Sequence, residues 1–483
     1  MIILPLEKIM AYSRIITITM RNKKIVTPLT ITALLLAIFF PIILTGYFAG
    51  KRAEAQFAAQ NYASAAASYK QAAQLLPWRS DLWEKAGIAA ATHGSVNEAI
   101  EFFKQAPTLS AEGRMWLGYS YYKIGDFSSA IHALEESLQL EPSSSSYNLL
   151  ALIYRQQKNW AAERATLENQ LLLDVGDVYA RYRLGLLLTV LAPEQALTNL
   201  MLASSLNPEF DPAVQTLRAA LNLSATQPDA SQQMVTIGRA LGLVQEWGLA
   251  FAAFENAITL NAENAEAWAW LGEAEQHIGQ DGRVELDQAV TLDHTSVVVR
   301  ALRGLYWNRQ KKYPQMLAEY LLAARYEPAN PAWQAEIGNA YTLHGDLAAA
   351  LTAYQHATEL APNESTYWRL LAVFCVENGV QVEDVGLPAA QKAVALAPQD
   401  PSALDTLGWS YLSTGRFANA EQTLQNVIER YPKYFPANIH LAMTYLAQGN
   451  RAAAFNELTY VRDADKGGAS GVFAGQLLAK YFP

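Results

Sequence analysis

WQAEIGNAYTLHGDLAAALTAYQHATELAP, residues Trp333 to Pro362, decides how the chain folds. Ile337, Gly338 and Tyr341 come first, then Ala350, Tyr354 and Ala357 beyond Gly345, and Pro362 closes the stretch. Small and apolar residues three or four apart follow the helical period, and Gly345-Asp346 interrupts them as a turn does. The spacing therefore predicts two helices. Neither is apolar all round, so the pair has no core of its own and must stack on copies of itself. Copies are present: Gly304 lies 34 residues before Gly338 and Ala372 lies 34 after it, as Pro328 lies 34 before Pro362.

Further copies run through most of the chain. Tyr62, Ala65, Tyr69 and Ala72 fit the second helix of a first unit, and Trp83, Gly87, Gly94, Ala99 and Phe103 mark the next. Gly118, Ala151 and Gly185 continue the series, with Glu163 standing where the pattern has a small residue. From Gly185 to Gly238 the interval is 53 residues, a repeat plus a surplus of 19. The surplus holds an apolar helical stretch, Ala213 to Leu223, and a loop-like Ser224 to Asp229, so it reads as a seam between two arms. Beyond it Gly238, Gly272, Gly304, Gly338, Ala372, Gly408 and Ala442 head seven more units.

This pattern of a small residue, an aromatic, a small residue, an aromatic and a terminal proline resembles the tetratricopeptide repeat. The resemblance covers roughly residues 50 to 463 and implies an all-α, right-handed solenoid of about twelve helix-turn-helix repeats, preceded by one transmembrane helix. The expected order is a basic segment (1–24), an anchor (25–49), a first arm (50–208), a seam with an extra helix (209–230), a second arm (231–465) and a C-terminal capping helix (466–483).

The anchor is read from charge and length. Lys8, Arg14, Arg21, Lys23 and Lys24 precede Ile25 to Gly50, which holds no charged residue. As a helix, residues 25–47 are long enough to cross a hydrocarbon core of roughly 30 Å. The run exceeds the apolar core of a signal peptide, although Ala53-Glu54-Ala55 loosely resembles a cleavage site, so an uncleaved anchor is expected. The basic flank places the N-terminus in the cytoplasm and the repeats outside the membrane, in a bacterial envelope by architecture. Beyond the basic segment 31 Lys and Arg face 44 Asp and Glu. Such a surface repels nucleic acid.

No HExxH, P-loop, GxSxG or paired-cysteine motif occurs, and the seven histidines lack metal-ligand spacing. Cys375 falls at an aromatic register of a first helix and reads as a core thiol. The chain is therefore read as a non-enzyme with no cofactor, no metal and no small-molecule substrate, whose chemistry is recognition of a protein or peptide. The resemblance implies that first helices line the concave face. By register this face offers Met115, Tyr119, Tyr122, Asn148, Arg155, Tyr179 and Tyr182 in the first arm. In the second arm it offers Arg309, Asn339, Arg369 and Trp409, with Glu273, His277 and Asn308 beside them. Tyr, Trp and Arg are the residue types enriched at binding hot spots. Asn339 matches one asparagine of the family's carboxylate clamp, but Ala335 stands where that clamp has lysine, so chaperone-tail binding is not expected. A membrane-anchored scaffold or adaptor is the function expected, with an accessory subunit of an envelope enzyme, secretion or assembly complex as the alternative.

Overall fold

A computed structural model describes the backbone from Val26 and the side chains from Leu34 to Pro483. The five basic side chains of the N-terminal segment lie outside the described residues. Those residues form 26 α-helices, and pairing neighbours gives twelve helix hairpins, one extra helix at Asp211–Ser224 and a last helix at Ala469–Tyr481. The chain divides into two compact units, Met1–Arg218 and Ala219–Pro483. The division falls inside the extra helix, within the stretch that the sequence marks as a seam.

The repeat signature is a packing lock. A Cβ placed on Gly87 would stand 2.6 Å from Phe103 Cε1, and one on Gly238 would stand 2.4 Å from Phe254 Cε1. Gly304 meets Tyr320, and Gly338 meets Tyr354, in the same way. Glycine on the first helix lets the ring of the second lie flat against its backbone, which fixes how closely the two helices approach. Leucine takes the place of the ring in other repeats, against glycine at Gly118 with Leu134, Gly185 with Leu200 and Gly408 with Leu424, and against alanine at Ala151 with Leu167 and Ala442 with Leu458, all four of the last buried. The repeat tryptophans have their own reason. Trp268 Nε1 donates to the Ala262 carbonyl at 2.8 Å and Trp368 Nε1 to the Pro362 carbonyl at 2.9 Å, tying a first helix to the turn that enters it.

Turns between paired helices, apart from the one at Ala192 (φ −158°), place a residue in the left-handed region. Glycine supplies it at Gly345 (φ 91°), the conformation that costs it least. Lys158 and Lys311 adopt it at φ 55° without that freedom. Two irregular repeats have structural counterparts: the shortened second helix is Arg283–Leu292, and the two extra residues near Val380 become a π turn at Val382–Gly386 before the helix Leu387–Leu396.

In both units first helices touch the first helix one repeat on, as Asp81–His93 does Ala111–Lys123 and Pro401–Ser413 does Phe435–Ala447. First helices thus form the inner side of each stack. One helix, Val26–Ala58, passes through Pro41 and serves as the first helix of the first repeat, burying Ala49 and Ala53 against Tyr62–Leu75.

Candidate binding faces on the inner helices

In the first unit the inner face is largely self-satisfied. Met115 and Tyr122 pack at the edge of the cluster around Leu134 and Leu150. The Tyr122 hydroxyl accepts from Gln156 Nε2 at 3.1 Å, one repeat on. Tyr119 stands edge-on to Trp116 at 5.5 Å with Lys123 over its ring. Asn148 Oδ1 accepts from the buried Gln170 at 2.9 Å. Arg155 donates at 3.0 Å to Glu163, which is fully buried, and Arg183 donates to the same carboxylate at 2.7 and 3.1 Å. Tyr182 stacks on Phe210 with ring centroids 4.1 Å apart and planes 2° from parallel, and Tyr179 meets the same ring edge-on while remaining 69% exposed. Of the seven residues singled out in this arm, Tyr179 presents the most open surface. Phe210 had no repeat register and escaped sequence reading.

The second unit holds two inner-face clusters. In the first, Arg309 donates 2.7 Å to Glu273 Oε2 and 2.9 Å to Gln276, and His277 Nε2 stands 3.1 Å from Glu273 Oε1. The imidazole lies flat on Trp247 at 3.6 Å between ring centroids. The hydrogen bond to Glu273 is the main cause that holds Arg309 above its ordinary pKa, followed, with opposite sign, by desolvation. Asn339 lies apart from this group and bonds Glu336, whose carboxyl burial pushes up while that bond pulls it down.

The second cluster spans three successive first helices, Ser365–Asn378, Pro401–Ser413 and Phe435–Ala447. His440 Nδ1 donates to Oδ1 of the buried Asp405 at 2.8 Å and its ring stacks on Trp409 at 4.5 Å. Burial, and next the charge of Asp405, push the Tyr434 phenol well above its usual range, while the charge of Arg369 opposes them. Arg369 is therefore close enough to Tyr434 to be felt, yet it makes no ion pair with any described residue. His440 also lines a cavity of about 230 Å³ with Pro436, Ile439, Ala469, Ser470 and Phe473, where the last helix closes the stack. Sequence reading found Arg369 and Trp409 but missed Asp405, Tyr434 and His440. The available signal was spacing: Asp405 and His440 are 35 residues apart, and Glu273 and Arg309 are 36 apart, each one repeat along the inner face.

Cys375 is buried, and burial pushes its thiol up to about 11, so it sits in the core as expected. No group of three or more metal-ligating side chains forms among the described residues.

An all-α stack of helix hairpins that leaves polar and aromatic side chains on its inner helices is the architecture of a repeat-built interaction protein. Models of the tetratricopeptide repeat match residues 51–113 and 117–174, 334–364, and 411–467. The chain is a tetratricopeptide repeat protein. Among solved structures, yeast Tom70 aligns at 13% identity over 90% of this chain and 95% of its own, with a TM-score of 0.41. The APC/C hetero-tetramer Cut9-Hcn1 aligns at 14% identity over 94% of this chain and 98% of that one, with a TM-score of 0.37. MamA 41-end from Desulfovibrio magneticus RS-1 aligns at 18% identity over 39% of this chain and 97% of that one, with a TM-score of 0.30. No curated protein matches the chain.

Proposed function

We propose that the chain is a membrane-anchored scaffold that holds a segment of a partner protein against its inner first helices, with the second unit as the principal face. The observation that carries this reading is the stack of His440 on Trp409 at 4.5 Å between centroids, on a face where the nearby Arg369 makes no ion pair with any described residue. With Nδ1 engaged by Asp405, Nε2 of His440 is the nitrogen left to meet a ligand. A cation, an imidazole and an indole on neighbouring helices suit a peptide that brings an acceptor and an apolar or aromatic side chain. Among the first-unit candidates, Tyr179 is retained as a contact residue on its exposure. The acidic balance disfavours nucleic acid, and we assign neither catalysis nor a small-molecule substrate to the chain.

The anchor in this reading is the apolar helix; the segment Leu34–Ala58 is long and apolar enough to cross a membrane. We place its N-terminus in the cytoplasm and the repeats outside, in a bacterial envelope. A cysteine at Ser80 should then react with a membrane-impermeant reagent in intact cells, and one at Ser13 should not; the reverse labelling would put the repeats in the cytoplasm.

A photo-reactive amino acid at Trp409 in the full-length protein should give a discrete adduct with the partner. Combining Arg369→Ala with Trp409→Ala should weaken that partner's binding at least tenfold, or ~1.4 kcal/mol. Unaltered binding by a fully folded double variant would sink the assignment of this face. Co-purification in detergent with a complete envelope enzyme would favour the alternative, an accessory subunit of a secretion, assembly or maturation complex.

A further inference from the structure

We infer that the first repeat makes a second contact with the lipid surface, through the turn that carries Trp78. The inference rests on the membrane reading of the apolar helix. Three observations lead to it.

The first is length. Residues 25–50 hold no charge, and at 1.5 Å per residue they span about 39 Å. A hydrocarbon core of roughly 30 Å takes up some twenty of them. Counted from the basic flank, the helix from about Thr45 to Gly50 therefore lies at headgroup level.

The second is packing at that level. A Cβ on Gly46 would stand 2.6 Å from Leu76 Cγ, so the end of the helix Tyr62–Leu75 is pressed onto the anchor there. Trp78 follows Leu76 by two residues, a reach of at most ~7 Å. The turn must then meet the interface when the helix crosses it.

The third is what this place exposes. Trp78 is 62% exposed and Phe48 61%, and Tyr47 is open beside Phe48 with the two rings 5.8 Å apart. Aromatic side chains concentrate at headgroup level, where an apolar ring and a polar edge are both satisfied. Of the nearby cations, Lys51 lies 2.8 Å from Glu54 and Arg79 lies 2.7 Å from Asp81, while Arg52 donates to the neutral Ser68 and Gln71. The acidic balance of the chain beyond the basic segment works against attraction to anionic lipid, so the occupant fitted to this surface is the interface itself, held by aromatic partition.

The test uses the full-length chain with Cys375→Ala and one introduced cysteine, carrying an environment-sensitive fluorophore, reconstituted in phosphatidylcholine vesicles. Labels go at Phe40→Cys in the span, Ser80→Cys beside the turn and Lys158→Cys as a remote site. With acyl chains brominated near the headgroup, Ser80 should be quenched well above Lys158, and the added change Trp78→Ser should bring it down to the Lys158 level. With deeper bromination Phe40 should be quenched most. Quenching at Phe40 with Ser80 no different from Lys158 overturns the interfacial contact and leaves the span intact. Absence of quenching at Phe40 overturns the span and the inference together. Quenching at Ser80 that appears only with anionic lipid, or that survives Trp78→Ser, also overturns the aromatic account.

Discussion

The two units carry arginines on their inner first helices, at different registers, and use them differently. In the first, Glu163 grows from the register where other second helices have alanine and reaches inward between Arg155 and Arg183. Both guanidiniums bond it, and Arg155 ties the hairpin together while its side chain stays 43% exposed. In the second unit Glu273 claims Arg309, but the repeat with Arg369 has the small, buried Gly386 at the end of its π turn and Ala390 on the helix Leu387–Leu396. Arg369 makes no ion pair with any described residue.

The largest effect should come from breaking the first arrangement. Glu163→Ala takes from the buried Arg183 the carboxylate to which two of its nitrogens donate, and breaking a buried pair in this way costs about 3–5 kcal/mol. Denaturant unfolding should show it in the first unit while the second melts as before. A loss below ~1 kcal/mol would mean that water replaces the carboxylate and that the site is wetter than its burial implies.

A second experiment asks whether the units differ anywhere except on the inner face. Gly87→Ala and Gly238→Ala press a methyl group onto Phe103 and Phe254, one lock in each unit. Overpacking of this kind costs about 1–3 kcal/mol, and Phe103→Leu or Phe254→Leu should restore part of it as a coupled pair. Unequal costs would show that the lock is not the shared element described here.

Between pH 5 and 8 the dependence of stability on pH should be the larger in the second unit. The Glu275 carboxyl is pushed up from 4.5 to about 7, first by burial and then by the hydrogen bond and charge of Glu285, with Asp281 and Glu255 adding to it. The folded state holds this proton more tightly than the unfolded chain does. Its contribution is complete below about pH 4.5 and is lost as pH rises through about 7. The midpoint for the second unit should fall between pH 5 and 8, and Glu275→Gln should flatten that fall; an unchanged slope in the variant would assign the dependence to other groups.

The smallest effect should be equal in both units. Lys158 and Lys311 hold the same left-handed turn conformation, so Lys158→Gly and Lys311→Gly should each stabilise by about 1 kcal/mol. Thermal melting would reveal it, and a gain in only one unit would mean that the lysine side chain has a role in the other turn.

Periodicity explains what the sequence made legible. Gly338 and Tyr354 are recognisable because the same lock recurs every repeat, and the shortened helix at Arg283 and the insertion near Val380 stand out as departures from it. Pairs such as Asp405 and His440 were hidden because they couple neighbouring repeats, while each register was read within its own repeat. Phe210 was hidden for a different reason. It belongs to the short turn Pro208–Phe210, which has no counterpart in other repeats, and only folding brings it onto Tyr182.

The Glu163 bridge also sets the grain of local opening. Arg155 lies on the helix Ser144–Gln156 and Glu163 on its hairpin partner Trp160–Leu173, while Arg183 belongs to the next repeat, on Val178–Leu191. Opening either hairpin must pull a dry carboxylate from a guanidinium, so neither can open cheaply alone. In native-state hydrogen exchange the amides of both should be released together as a single foldon twice the length of a repeat.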